Sequence, residues 1–454
     1  MSTSIIQKYN IPGPRYTSYP TVPYWEQAHF SVSAWEDSFI QSFEESNATE
    51  GLSLYIHLPF CESLCTFCGC HKRITKRKEV QVDYVNYVLK EWDLYCGKVG
   101  AKPRIKEIHL GGGTPTFFTP ESLERLINGV LSRAEIADGY EFSFEGHPNN
   151  TTRKHLEVLY NLGFRRVSFG VQDYSEQVQK AIHRVQPFHN VAKVTFWAKE
   201  IGYTSISHDL IFGLPFQTLS DVKDTIEKTQ SLSPNRLAFY SYAHVPWIKG
   251  NGQRGFKDED LPKDSVKREL YEQGKALLLS KGYKEIGMDH FALESDAMYQ
   301  AFNAKKLHRN FMGYTASKTQ LMLGLGVSSI SDSWYGFAQN EKDIATYYSL
   351  LDAGQLPVVK GHALTTEDLI IRKHILNLMC HMETSWETAD TYFDEIPEVQ
   401  ADLQELVADG LLELYPNKLI VTEAGKPFVR NICMAFDLRL KRNKPETQLF
   451  SSTI

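Results

Sequence analysis

Four of the seven cysteines in this 454-residue chain, Cys61, Cys65, Cys68 and Cys70, fall within ten residues. Thiolates are soft ligands, so such crowding points to a bound metal or to redox chemistry. Cys61, Cys65 and Cys68 are spaced C-x3-C-x2-C, a loop that can wrap one corner of an iron–sulfur cubane. Three thiolates on about four irons leave one iron open to a small chelating ligand. A zinc site using all four cysteines is the competing arrangement. Zinc sites usually join two ligand pairs separated by roughly a dozen residues or more, whereas these four are cramped. The segment around them, Tyr55-Ile56-His57-Leu58-Pro59-Phe60, reads as a strand running into the loop.

Further along stand other groups able to do chemistry. Gly111-Gly112-Gly113-Thr114-Pro115 follows a second apolar run. Glycines there let a ligand approach the backbone and expose N–H groups, although a glycine run alone is often only a tight turn. Glu145 ends a third run and could accept hydrogen bonds from a ribose diol, or simply be solvated. Gln172, Arg184 and Asp209 place an amide, a guanidinium and a carboxylate at successive strands or loops. Each alone has a bland reading as a surface or capping residue. The basic run His71–Lys78 is a solvated face or an attractor of carboxylates. Net charge of −6 gives no footprint for nucleic acid.

Positioning these groups requires alternating strands and helices. Strands are predicted at Leu52–His57, Ile105–Leu110, Tyr140–Glu145, Arg166–Val171, Ser205–Ile211 and Arg236–Tyr240. Helices are predicted at Val82–Leu94, Pro120–Ser132, Arg153–Leu162, Val178–His183, Asn190–Glu200 and Leu219–Ser231. Six βα units imply an α/β fold, a parallel sheet that right-handed crossovers curl into a full or partial (β/α)6 barrel. Residues 1–50 read as an irregular Pro- and Tyr-rich arm with a helix over Val32–Glu45, and 51–285 as the barrel. Residues 286–360, with a Gly/Ser-rich stretch at Leu323–Ile330, flank it. Residues 361–454 form a small helix-rich domain with a β-wing near Leu411–Leu414 and Leu419–Thr422.

Composition is that of a globular protein, 42% hydrophobic and 23% charged, which excludes disorder and collagen. No apolar run reaches the roughly 18 residues of a membrane span. Met1–Asn10 lacks a signal-peptide pattern. The odd cysteine count, with Cys96, Cys380 and Cys433 scattered, argues against a disulfide framework and for a reducing cytoplasm.

C-x3-C-x2-C after a first strand resembles the signature of the radical S-adenosylmethionine superfamily. The likeness extends to C-x3-C-x2-C-x-C through Cys70, and to Tyr55-x-His57-x-Pro59-Phe60 and Pro14-Arg15-Tyr16-Thr17-Ser18-Tyr19-Pro20-Thr21. With Gly287–Phe291, Leu307–Phe311 and Arg430–Met434, it resembles the oxygen-independent coproporphyrinogen III oxidases nearly end to end. The resemblance implies one 4Fe-4S cluster on Cys61, Cys65 and Cys68, and two molecules of S-adenosyl-L-methionine. It implies that Tyr55 binds cofactor, that Gly112, Gly113, Thr114, Glu145 and Ile330 serve the first cofactor, and that Phe67, Gln172, Arg184, Asp209 and Ala243 serve the second. Phe67 would pack near an adenine, and Cys70 would be an accessory rather than a ligand. Where the family carries an acidic residue this chain has His147, and where it often has Asn this chain has His183.

The implied reaction is oxidative decarboxylation of the ring A and B propionates of coproporphyrinogen III to vinyl groups, started by a 5′-deoxyadenosyl radical. It needs no side-chain acid or nucleophile. A reduced flavodoxin- or ferredoxin-type donor and a cytoplasmic monomer are implied with it. Arg15, Tyr16, Tyr19 and Arg309 are candidates for the macrocycle or its propionates, or for packing within the arm. The competing function is a haem-binding chaperone of the same superfamily, which usually lacks the fourth cysteine and the Arg15–Thr21 arm.

Serine in place of Cys61, Cys65 or Cys68 should abolish the iron–sulfur absorbance of anaerobic protein. Cys70→Ser should keep the cluster while impairing turnover. A full cluster in Cys65→Ser, or none in Cys70→Ser, would show the ligand set to be different.

Overall fold

Six apolar runs become the parallel strands β1 (Leu52–Leu58), β2 (Arg104–Gly112), β3 (Glu135–Gly146), β4 (Phe164–Gln172), β5 (Ser205–Phe212) and β6 (Arg236–Ser241). The computed structural model describes residues 3–26, 28, 30–246, 253, 255–445, 447 and 449–453. Each of these strands is hydrogen-bonded in parallel to the next, in sequence order. β1 is buried on both faces, as a parallel strand covered by helices must be, and it is correspondingly apolar.

Two helices, α1 (Thr3–Tyr9) and α2 (Val32–Ser46), precede the sheet. The crossovers carry α3 (Val80–Cys96), α4 (Pro120–Ser132), α5 (Arg153–Asn161), α6 (Glu176–Ala181), α7 (Phe188–Ile201) and α8 (Leu219–Ser231). A further helix, α9 (Asp264–Ser280), packs on α8. Local chemistry sets several starts. Thr119, Thr152 and Thr218 each accept a backbone N–H three residues on, at the N-caps of α4, α5 and α8. α6 stops at Ala181, two residues short of the predicted end, and His183 turns the chain with φ +52°.

The sheet is larger than the six predicted strands. Leu321–Leu325 lies parallel beside β1, on the side opposite β2. Antiparallel strands Ile330–Asp332, Gly336–Asn340 and Val358–Ala363 continue that edge, and His290–Ala292 with Lys284–Gly287 extends the other. The open twelve-stranded result is a partial barrel. β3 also begins five residues before the predicted Tyr140, because its pairing with β2 breaks between Ile136 and Glu141 and so hides the period.

The turn joining Leu321–Leu325 to Ile330–Asp332 is braced from α3. Glu91, fully buried, accepts the Gly326 N–H at 2.8 Å, the Tyr347 hydroxyl at 2.6 Å and the Asn340 amide at 2.6 Å. Burial pushes its carboxyl up to about 7, against those three donors. Tyr84, about two helical turns back, donates to the His57 carbonyl at 2.8 Å and accepts the Val327 N–H at 3.0 Å.

The helix-rich remainder packs Ile375, Leu378, Val399, Leu403, Phe428 and Ile432 into its own core. Its wing has three strands instead of the predicted pair, Glu383–Ser385 joining Lys418–Val421 and Leu412–Leu414. The arm is seated against this core. Arg430 donates to the carbonyls of Gly13, Pro14 and Ser452, and Arg309 to those of Arg15 and Tyr16. Tyr16 and Tyr19 are 2% and 1% exposed, and Tyr16 reaches Asp437 at 3.1 Å. Both arm tyrosines are packed into this core. No described helix is long and apolar enough to cross a membrane.

Removing the Tyr84 hydroxyl strands a buried carbonyl and a buried N–H at once. Tyr84→Phe should therefore cost about 1–3 kcal/mol in denaturant unfolding, with the m-value unchanged. A cost near zero would mean that this hydroxyl does not brace the turn.

Candidate functional site at the ends of the parallel strands

Ligands of α/β barrels gather where the strands end, and the cysteine loop leaves β1 at that face. Phe60–Cys61 forms a short parallel pair with Arg73–Ile74, so both ends of the loop are pinned together. The Arg73 N–H donates to Pro59 at 2.8 Å and the Thr75 N–H to Cys61 at 2.9 Å. On its far side the loop is tied to the chain after β4. Thr66 donates its N–H to Ile182 at 3.0 Å and its hydroxyl to Ala181 at 3.1 Å. Phe60 anchors the base among Tyr84, Phe117 and Phe118.

The thiols lie close enough to affect one another. Burial pushes Cys61 up to about 11, with Cys68 and Cys65 adding, while the Thr114 hydroxyl at 3.4 Å opposes. A hydrogen bond from the neighbouring Cys70 draws Cys68 below its ordinary value against burial, helped by Lys72 and Arg184. Lys72 is held there by the carbonyls of Cys68 and Cys70, each at 3.2 Å. The thiolate, not the thiol, is the form that binds metal. Among the described residues no three Cys, His, Asp or Glu groups gather as one metal ion would need. A cluster spreads its thiolates over separate irons, so the looser spacing of Cys61, Cys65 and Cys68 suits it better than a single tetrahedral ion.

The glycine loop ends β2 directly beside this loop. A Cβ on Gly113 would fall 2.6 Å from the Pro59 backbone, and one on Gly112, at φ +110°, 2.6 Å from the His57 ring. The close approach is therefore to the protein's own chain. Gly113 and Thr114 donate their N–H groups to Leu58 at 2.9 Å and Phe60 at 3.0 Å, and Gly112 donates to Glu145 at 3.3 Å. The expectation that these amides face a ligand is thus corrected. What the loop can offer a ligand is carbonyl oxygens and the Thr114 hydroxyl.

Glu145, at the end of β3, has His109 Nε2 3.5 Å from one oxygen and the Gly112 N–H on the other. Burial alone would raise its carboxyl, but His109, the Gly112 amide and His57 hold it below its ordinary value. Tyr55 stacks on His109, with ring centroids 6.1 Å apart, and its hydroxyl meets His57 Nδ1 at 3.0 Å. Gly324 is the register partner of Tyr55, and the Ile330 backbone lies against Gly324, which brings Ile330 to this side of the site.

The second group also converges. Gln172 ends β4 in the left-handed region, φ +68°, a conformation that costs about 1 kcal/mol or more in a non-glycine residue. Arg184 donates to the Gly170 carbonyl at 2.7 Å and reaches Cys65 Sγ at 3.8 Å, while its buried Nε has no partner among the described residues. Asp209 accepts the Ser168 hydroxyl at 2.9 Å. Burial pushes it up to about 7, with Glu145 adding and Ser168 and Arg184 opposing. Gln253 joins Phe67 to Ala243, donating to the first carbonyl at 3.1 Å and the second at 3.0 Å. His147 is held neutral by burial and by Arg184, and its Nδ1 accepts the Asn149 N–H at 3.1 Å.

Two cavities open at this end. A polar one of about 90 Å³ lies inside the sheet, between Glu145, Asp209, His109 and Arg166. A larger one of about 670 Å³ lies between the ends of β5 and β6, α9, the arm and the C-terminal helices. Of the residues expected from the sequence, its lining reaches Ala243 and Arg15, the latter paired with Asp289. His109, Ser143, Arg166 and Gln253 were not singled out in the sequence. The alternation Glu107-x-His109-x-Gly111 was a signal for the first of them, since alternate residues of a strand share a face.

Comparison with known proteins agrees with this arrangement. Residues 55–229 match the model of the radical SAM superfamily. An oxygen-independent coproporphyrinogen III oxidase of Helicobacter pylori is 37% identical over 453 residues, covering 98% of each chain. That of Escherichia coli K12 is 37% identical over 459 residues, covering 99% of this chain and 98% of its own. The solved structure of coproporphyrinogen III oxidase (HemN) from Escherichia coli, a radical SAM enzyme, superposes with a TM-score of 0.89 at 34% identity, covering 96% of this chain and 98% of that one. By near-full-length identity and by fold, the chain belongs to the oxygen-independent coproporphyrinogen III oxidases of the radical SAM superfamily.

Proposed function

We propose that this protein converts coproporphyrinogen III to protoporphyrinogen IX in haem biosynthesis by oxidative decarboxylation of the ring A and B propionates. The observation that carries the reading is the near-full-length relationship to enzymes named for that activity. Bound to the site, a 4Fe-4S cluster and S-adenosyl-L-methionine supply the hydrogen-atom abstraction that starts each decarboxylation.

The chain's own residues bind and orient. Cys61, Cys65 and Cys68 hold the cluster, in a loop whose ends and far side are tied to the barrel. Gly112, Gly113 and Thr114 offer carbonyls and a hydroxyl to the amino group of the first cofactor. Glu145 takes its ribose, and Tyr55 and Ile330 flank it. Gln172, Arg184 and Asp209, with Phe67 and Ala243, hold a second cofactor molecule, which matches two propionates with two events. Cys70 acts as an accessory beside Cys68. Residues 51–285 supply these groups, 286–360 complete the first cofactor site, and 1–50 with 361–454 close over the substrate. A reduced flavodoxin- or ferredoxin-type protein donates the electron, and the enzyme works as a cytoplasmic monomer.

Anaerobic incubation with coproporphyrinogen III, a reductant and S-adenosylmethionine tests the activity, following vinyl product and 5′-deoxyadenosine together. Brown protein holding about four irons per chain is expected beforehand. Stable haem binding without turnover would overturn the reading.

Arg184 tests the second cofactor. A guanidinium holds a carboxylate with two charge-assisted hydrogen bonds, and its loss costs on the order of a hundredfold in affinity. Arg184→Ala should keep the cluster, bind about one cofactor molecule in place of two in equilibrium dialysis, and lose most decarboxylation. Unchanged stoichiometry with normal turnover would make Arg184 a structural residue.

A further inference from the structure

β2 directs Glu107, His109 and Gly111 to one face, the interior of the partial barrel. The His109 side chain is 12% exposed there. Its Nδ1 lies 2.8 Å from the Ser143 hydroxyl, and its Nε2 faces Glu145 at 3.5 Å. Ser143 Oγ already accepts a hydrogen bond from Arg166 Nη2 at 2.9 Å, and Arg166 Nε is fixed on Glu141 at 2.9 Å. A hydroxyl has one proton to give. Its choices here are His109 Nδ1 at 2.8 Å and the Ile108 carbonyl at 3.5 Å, and the shorter contact takes it. Nδ1 is then the acceptor of the neutral ring, so the hydrogen sits on Nε2 and points at Glu145. Glu145's second oxygen accepts the Gly112 N–H, and Tyr55 covers the imidazole face.

We infer that Glu141, Arg166, Ser143 and His109 form a relay that aims the Glu145 carboxylate, with His109 as the positioning residue for a ligand carrying a vicinal diol. The inference rests on Glu145 being the ribose contact of the first S-adenosylmethionine. A carboxylate anchored through both oxygens presents its remaining lone pairs in one fixed plane, which is what two neighbouring hydroxyls require. The 3.5 Å contact closes to a normal hydrogen bond when the ligand draws the carboxylate into place. The Glu141–Arg166 pair is neutral as a unit and so is His109 in this tautomer, so the groups behind Glu145 add no unpaired charge of their own.

The test is equilibrium dialysis of S-adenosylmethionine against the full-length, anaerobically reconstituted protein without reductant, with iron content measured alongside. His109→Ala should keep its iron and bind the cofactor about tenfold more weakly. His109→Gln places an amide N–H near the position of Nε2 and should recover most of that loss. Ser143→Ala frees the tautomer and should weaken binding about threefold. In a Glu145→Ala background, His109→Ala should add nothing further, because its effect passes through that carboxylate.

Weakened binding in Glu145→Ala with normal binding in His109→Ala and Ser143→Ala would overturn the relay and leave the ribose contact standing. Normal binding in Glu145→Ala would overturn the ribose contact, and the relay with it. Equal losses in His109→Gln and His109→Ala, or additive losses in the double variant, would show His109 to be structural only. Should His109→Ala fail to fold, His109→Gln and Ser143→Ala still decide between these results.

Discussion

Two backbone hydrogen bonds hold the site together, Gly113 N–H to the Leu58 carbonyl and Thr114 N–H to the Phe60 carbonyl. They join the exits of β1 and β2 after the regular ladder between them has ended at Leu58 and Gly112. Only glycine allows the approach, since a Cβ on Gly113 would collide with the Pro59 carbonyl carbon. With the two exits fused, the cysteine loop starts from a defined point. Phe60 is then forced into its aromatic pocket, and Thr114 is set beside Cys61. The loop's other attachment, through Thr66 to the chain after α6, turns a flexible hairpin of thiols into a strap across the barrel mouth.

Charge in the interior follows from that geometry. Glu141, Arg166, Arg236 and Asp296 form a buried ladder of ion pairs on β3, β4 and β6 and at the start of the helix after His290–Ala292. Buried charges survive when paired, and their partners leave the strand ends above them free for polar groups such as Glu145 and Asp209. The arm follows the same rule. Arg309 and Arg430 enter the interior and meet backbone carbonyls, so a Pro-rich segment with few amide donors is held by its acceptors. Burial draws the Arg430 guanidinium down to about 9, a measure of how fully it is enclosed.

The βα alternation was legible because parallel strands covered on both faces are continuous apolar runs, and all six were located with ends within about two residues except β3. α4 and α8 were read to the residue, each opened by a threonine cap. Leu321–Leu325 escaped notice because its glycine and the Gly/Ser turn after it look like a loop, although β1 supplies the missing context from far away in sequence. The cysteine loop, the glycine loop, Glu145 and the Gln172–Arg184–Asp209 group carry their chemistry in residue type and strand position, and the fold assembles them. The direction of the loop's N–H groups was not legible, since it depends on where β1 runs. A lone histidine on β2 could not be told from packing until Ser143 and Arg166 appeared beside it.

The placement of Leu321–Leu325 beside β1 has a consequence for biosynthesis of the protein. As the chain leaves the ribosome, β1 to β6 emerge in order, and each finds its neighbour already present. β1 keeps its naked edge longest, and the Tyr84 hydroxyl, which donates to the His57 carbonyl, waits for the Val327 N–H. The strand that leads into the cysteine loop is therefore closed on its second side only after more than two-thirds of the chain has been made.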